Sequence, residues 1–261
     1  ALVKVDISDN GLREAGTMAL AEALEGNQIM TELNLSGNKM TSNGMNYGHM
    51  AGVIAIGDAI PTMGALATVN ISKNIIRAAG AKHLFETIKG HKALTSLDVS
   101  SNEIGAYSKD NDGRAPWIPS PEGPAAIADG IKNNGALVKF DVSTNSLCAP
   151  GGKLLAEALK GNNVMQELNI AGNSLGTVGT GRDAKADMSG VVAISGAIPT
   201  MGAMVKLNIS DNNFYGTEAW KALGDMLAVN TVLKELDLSK CNMQSRESVE
   251  AFAAGLSANG A

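Results

Sequence analysis

Apolar and polar residues in this chain alternate with period two over a few positions, pass through a short polar turn, and then take up a helical period. In "TELNLSGNKM", Leu33 and Leu35 fall on one side of an extended segment, the pattern of a half-buried strand. In "AGTMALAEALEGN", Leu20, Ala23 and Leu24 fall at i, i+3 and i+4, which predicts a single apolar stripe on a helix. Gly26 and Gly161 close two such helices, where a left-handed C-cap is wanted.

The switch from strand to helix recurs at regular intervals, so repeats come before any other reading. The turn Asn of "LxxLxLSxNxL" occurs at Asn10, Asn38, Asn74, Asn102, Asn145, Asn173 and Asn212, and Cys241 stands in the eighth place. The base spacing from Asn10 to Asn38 recurs from Asn74 to Asn102 and from Asn145 to Asn173, with longer steps between. Asn10, Asn38, Asn74 and Asn102 correspond in order to Asn145, Asn173, Asn212 and Cys241, a tandem duplication of a four-repeat block. "DAIPTMGALATVNISKNII" from Asp58 and "GAIPTMGAMVKLNISDNNF" from Gly196 are its most alike stretches.

One strand–turn–helix unit cannot bury both its strand and its stripe, whereas a stack of them can. The prediction is an α/β solenoid, right-handed and continuous over 1–261, with eight parallel strands on a concave face and helices on the convex one. The blocks are about 1–135 and 136–261. Asn38, Asn74, Asn102, Asn145, Asn173 and Asn212 are expected to form a buried ladder, because an amide can both donate to and accept from backbone. Cysteine can replace Asn there as a small thiol that buries easily. The chain starts at a strand and stops where a ninth would begin. The expectation is a piece of a longer chain, its ends covered by missing caps or by neighbouring subunits.

"LxxLxLSxNxL" followed by "AGxxALAEAL" on this base spacing resembles leucine-rich repeats of the ribonuclease-inhibitor type. That class includes Ran GTPase-activating proteins and the sensor regions of NOD-like receptors. The resemblance covers essentially the whole chain and implies the horseshoe fold. It implies no single activity, because this scaffold serves many partners. No catalytic residue carries over, since no family-specific motif marks one.

Hydrophobic residues make up 44% of the 261, enough for a core, but aromatics are only 3%, so aliphatic side chains must fill it. The net charge of −5 lacks the basic stripe that nucleic-acid binding needs. No apolar run is long enough to span a bilayer, so direct membrane insertion is not expected. Cys148 and Cys241 make no disulfide framework and lie three repeats apart, so both are expected to be unpaired. A reducing, intracellular setting is the default, cytoplasmic unless a missing N-terminal segment carried an organelle address.

Enzyme and cofactor motifs are lacking. His49, His83 and His91 are scattered, and no Cys pair has zinc spacing. "GTVGTGRDAK" is glycine-rich without a following GK[ST], and reads as a flexible loop. "KDNDGR" starts like a calcium loop, but the twelfth residue from Asp110 is Pro121 where a bidentate Glu is required. No cofactor is expected, and the chain reads as non-enzymatic.

The expected concave floor is repetitive. Its central column runs Asp6, Asn34, Asn70, Asp98, Asp141, Asn169, Asn208 and Asp237, beside a column of Ser with one Ala. No aromatic interrupts these columns, so the usual interface anchors are missing. Asp98 and Asp141 should face each other roughly 5 Å apart. Either Lys139 and solvent screen them, or they receive a basic partner or a cation.

The second, fourth and sixth repeats are longer than the rest. Their inserts are "TSNGMNYGHMAG", "GAYSKDNDGRAPWIPSPEGPA" and "GTVGTGRDAKADMSG", and each lies between strand and helix, on one rim. Inserts confined to one face of a solenoid often mark its binding face. They carry Tyr47, His49, Tyr107, Arg114, Trp117 and Arg182. Trp117, among prolines that lower the ordering cost of its loop, either anchors a partner or folds back over the solenoid. Trp220 lies on a helix and reads as packing. The leading function is a protein-binding scaffold or accessory subunit with another protein as partner. The alternatives are a GTPase regulator and the ligand-sensing region of a longer receptor.

Overall fold

A computed structural model describes residues 2–108, 117–179 and 184–259. Eight strands form one sheet: β1 (Lys4–Asp6), β2 (Glu32–Asn34), β3 (Thr68–Asn70), β4 (Ser96–Asp98), β7 (Lys139–Asp141), β8 (Glu167–Asn169), β11 (Lys206–Asn208) and β12 (Glu235–Asp237). All neighbours are parallel and in register, from Lys4 opposite Glu32 to Lys206 opposite Glu235. Each is followed by a helix: α1 (Arg13–Leu24), α2 (Ala51–Ala59), α3 (Arg77–Ile88), α4 (Glu122–Lys132), α5 (Cys148–Leu159), α6 (Ser189–Ala197), α7 (Glu218–Val229) and α8 (Arg246–Asn259).

The period-two residues Leu33, Val69, Leu97, Phe140, Leu168 and Leu207 stack in one buried row between sheet and helices. Val5 and Leu236, on the edge strands, are only partly covered. Neighbouring helices meet at small residues. A Cβ on Gly190 of α6 would stand 2.7 Å from the Cα of Ala149 on α5.

The ladder is built as the turn pattern predicts. Asn38, Asn74, Asn102, Asn145, Asn173 and Asn212 have no exposed surface. The Asn102 carboxamide accepts from the amides of Asn74 (2.8 Å) and Ile76 (3.4 Å) and donates to the carbonyls of Ile71 (3.0 Å) and Val99 (2.9 Å). Residues flanking the ladder positions have positive φ throughout the stack, from Asp9 and Gly11 to Lys240 and Asn242. Left-handed geometry costs a non-glycine residue about 1–2 kcal/mol. The carboxamide bonds hold the turn in it, even at the β-branched Ile75. Cys241 keeps one of these contacts, Sγ to the Ile209 carbonyl at 3.2 Å, and burial pushes its thiol up to about 11. Cys148 and Cys241 are both free and buried.

Two expectations are corrected. The buried face of α1 is Thr17, Ala21 and Leu24, with Leu20 half-covered and Ala23 exposed. Ala158, the counterpart of Ala23 in the second block, is buried because α4 lies beside α5, whereas no helix stands before α1 among the described residues. The inserts are also more ordered than loops. The second contains the antiparallel pair β5 (Ala106–Ser108) and β6 (Trp117–Pro119). In the third, Thr177–Val178 (β9) pairs with Lys185–Ala186 (β10), where a flexible loop was expected. Antiparallel pairing satisfies the backbone of these segments locally.

Candidate functional site

The open face of the sheet offers few unengaged polar groups. In all eight repeats the central Asx side chain accepts from the amide two residues on, as in Asp6 from Ser8 and Asn70 from Ser72. These Asx turns end each strand, which explains why Asn or Asp recurs there. Asn34 and Asn169 donate their remaining amide to Asp6 and Asp141, at 2.9 and 2.7 Å. In the flanking column, Lys4–Glu32, Lys139–Glu167 and Lys206–Glu235 pair at 2.6, 2.7 and 2.6 Å.

Asp98 and Asp141 accept such bonds too, but as neighbouring carboxylates they bear like charge. They face each other in register, both half-buried. The Lys139 ammonium pairs along its own column with Glu167, and Lys73 is the cation that favours the Asp98 carboxylate. Burial pushes the Asp98 carboxyl above the usual carboxylate range, and the facing Asp141 adds to this, against hydrogen bonds from Ser100. Asp6 and Asp237, on the exposed edge strands, are instead held low by hydrogen bonds from Ser8 and Ser239.

A group whose acidity is weakened by folding binds its proton more tightly in the native state. The contribution of Asp98 to native stability therefore falls as pH rises through the carboxylate range. Asp98→Asn, which keeps the Asx turn used at Asn34, Asn70, Asn169 and Asn208, is expected to stabilise the protein by about 0.5–1 kcal/mol at pH 7. Urea midpoints of the two chains should converge in acid. A gap that widens on acidification would mean that the carboxylate helps the fold.

The rim is different in character. Pro119 and Pro121 of the second insert, Leu147, Cys148 and Leu154 around α5, and Val178 of the third insert line a groove of about 200 Å3 with almost no polar surface. Leu154 and Val178 remain 39% and 40% exposed, large values for aliphatic side chains. The Cys148 thiol donates to the Gly179 carbonyl at 3.4 Å, and burial pushes its pKa up. Beyond Val178 the surface continues to Tyr215, 47% exposed.

The singled-out residues divide among these places. Strand alternation sets Trp117 on the same face of the hairpin as Pro119 and Ala106, which line the groove. Its side chain is half-buried. Tyr107, on the opposite face, lies under the Arg77 guanidinium, 4.6 Å from ring centroid, and Arg77 pairs with Glu103 at 3.2 Å. That stack fastens the hairpin to α3. Tyr47 and His49 sit on the first insert, away from the groove, with His49 Nδ1 3.7 Å from Glu14. Arg114, Arg182 and the whole of the "KDNDGR" stretch from Lys109 lie outside the described residues. Asp98 and Asp141 are on the sheet face.

Sequence reasoning passed over Cys148, Leu154 and Val178. A comparison of the two blocks finds them, because their counterparts in the first block are Arg13, Ala19 and Asn43. At Leu154 and Val178 apolar residues replace a small and a polar one at positions that the fold leaves partly open, and Cys148 replaces an arginine beneath them. Among the described residues, no group of three or more His, Cys, Asp or Glu could hold a metal ion, and no helix is long and apolar enough to cross a membrane.

The parallel sheet, the alternating helices and the Asn ladder define a leucine-rich repeat protein, and a family model described as Leucine Rich repeat matches residues 26–46, 91–106 and 229–246. Each match contains a strand and its ladder position. The human "NACHT, LRR and PYD domains-containing protein 13" is 28% identical over 127 residues, 40% of this chain and 12% of that protein. The chain thus spans a small part of that relative. Among solved structures, "Leiomodin-1 Actin-Binding Site 2 (ABS2)" is similar with a TM-score of 0.47 and 16% identity, covering 67% of this chain and 87% of that one. A tropomodulin C-terminal domain of Caenorhabditis elegans covers 94% and 92% with a TM-score of 0.38 and 8% identity.

Proposed function

We propose that this chain is a non-enzymatic, protein-binding repeat domain of the ribonuclease-inhibitor type, and that its partner seats on the rim between the second and third inserts. The observation that carries the reading is the contrast between the two surfaces. The sheet face uses its polar side chains in turns and pairs that the fold itself requires, and it has no aromatic anchor. The rim groove leaves Leu154 and Val178 in solvent beside the hairpin of Trp117, with no fold-internal reason for their size. An aliphatic or aromatic side chain from a partner fits such a groove, and its burial there supplies binding energy. The two free, buried thiols support a reducing, intracellular setting.

The test is retention of partner from extract of the native source by three forms of the chain. Trp117→Ala is expected to weaken the retained complex by about 2 kcal/mol, the hot-spot scale, with the thermal midpoint nearly unchanged. Leu154→Glu should abolish retention, since it places a charge in the groove. Asn169→Ser on the sheet face should leave retention intact. If the Asn169 variant releases the partner while Leu154→Glu keeps it, the binding surface is the sheet.

A further inference from the structure

Asn43 and Gly44 stand together on the first insert, both exposed, inside the turn closed by the Ser42–Tyr47 bridge. An asparagine followed by glycine can lose ammonia, because the glycine nitrogen has no side chain beside it to hinder its approach to the Asn Cγ. Such pairs lie wholly within the described residues at Asn10–Gly11, Asn43–Gly44 and Asn134–Gly135, and the fold holds each differently. Asn134 is 5% exposed, and its carboxamide accepts from the Ala136 and Leu137 amides and donates to the Ile88 carbonyl at 3.1 Å. Asn10 keeps its carboxamide nitrogen, the leaving group, on the carbonyls of Ile7 and Ser8, each at 2.9 Å. At Asn43 that nitrogen donates to no group among the described residues, while Oδ1 accepts from the amides of Met45 at 3.0 Å and Asn46 at 2.9 Å.

The groups around Asn43 suit that reaction. The two amides on Oδ1 draw electron density from Cγ and already stand where negative charge develops when Cγ is attacked. The Gly44 amide donates to Ser42 Oγ at 3.0 Å, so its proton has an acceptor. Gly44 has φ of 99°, a conformation that glycine adopts without steric cost. Arg13 supplies the positive charge, with Nη1 2.7 Å from the place that a Cβ on Gly44 would take. A cation there favours the deprotonated amide nitrogen and the anionic intermediate that follows. In the second block the places of Arg13, Asn43 and Gly44 are taken by Cys148, Val178 and Gly179. The scaffold therefore requires neither the cation nor the carboxamide.

We propose that Asn43 is a site of self-modification assisted by Arg13. The Gly44 nitrogen bonds to Asn43 Cγ and gives its proton through Ser42 Oγ to water. The Cγ–Nδ2 bond breaks, and Nδ2 takes a proton from solvent and leaves as ammonia. Water then opens the succinimide at either carbonyl, giving aspartate or isoaspartate. The new carboxylate stands beside the Arg13 guanidinium, so a cationic spot on the rim becomes an ion pair. This is independent of the rim groove, whose lining includes none of these residues.

Timed incubation of the folded chain at mildly alkaline pH tests it, read by isoelectric focusing and by the masses of proteolytic fragments. An acidic form should accumulate with the change on the fragment carrying Asn43, ahead of the fragment carrying Asn10, and with Asn134 intact. In urea the three pairs should react at similar rates, because the ranking belongs to the fold. Arg13→Gln should slow the reaction at Asn43 about fivefold, the scale of one charge acting at close range in water, and Arg13→Lys should restore most of the rate. Asn43→Gln, whose longer side chain would have to close a larger ring, should remove the first acidic form. An Asn43 that folding slows as much as Asn134 would overturn the proposal. Equal rates in Arg13→Gln and the unaltered chain would overturn it too, leaving only the reactivity of any exposed Asn–Gly pair.

Discussion

Trp220→Ala is expected to destabilise the protein by about 4 kcal/mol, in the range for emptying a large aromatic from a packed core. Trp220 is 1% exposed on α7 and is the largest fully buried side chain among the described residues. Phe214 and Phe252 meet it edge to face, with centroids 5.7 and 5.9 Å away. Phe214 comes from the turn after β11 and Phe252 from α8, so one indole ties three segments together. The indole N–H has no hydrogen-bond partner among the described residues. The loss is therefore one of volume and contact, and Trp220→Phe should recover more than half of it. Chemical denaturation of the three chains measures this. A loss under about 1.5 kcal/mol for alanine would mean that α8 closes over the gap.

Asn102→Ala is expected to cost about 3 kcal/mol, because it leaves the buried amides of Asn74 and Ile76 without partners and takes one of two carboxamide donors from each of the Ile71 and Val99 carbonyls. The cost should exceed that of Asn10→Ala several-fold. Asn10 is exposed, and its side chain bonds only its own turn. Asn102→Cys should fall between them, since Cys241 shows that a thiol can hold the adjoining carbonyl but offers no comparable acceptor. Urea unfolding of the three variants ranks them. A loss of a few tenths for Asn102→Ala would mean that the left-handed turn persists without its carboxamide.

Much of this architecture is local, and what is local could be read from the chain. Leu33 and Leu35 alternate because a strand has a period of two. The ladder Asn recurs because each turn presents the same orphan backbone groups. Both follow from a few adjacent residues, and repetition raised the signal. The candidate site was half legible. The inserts announced a rim through their spacing, and Trp117 announced an anchor type.

What the sequence alone could not decide was which residues the stack would cover. Ala23 and Ala158 occupy equivalent positions in similar helices, yet among the described residues only Ala158 has a helix before it. Lys139 stood near an acidic pair in the order of columns, but in-register pairing gave it Glu167 instead. Leu154 and Val178 lie in different repeats, and only the folded stack sets them beside Pro119 and Pro121. Strand, turn and helix depend on the order of neighbours along the chain. Burial and the groove depend on which repeat lies against which, and in a solenoid that is a property of the stack.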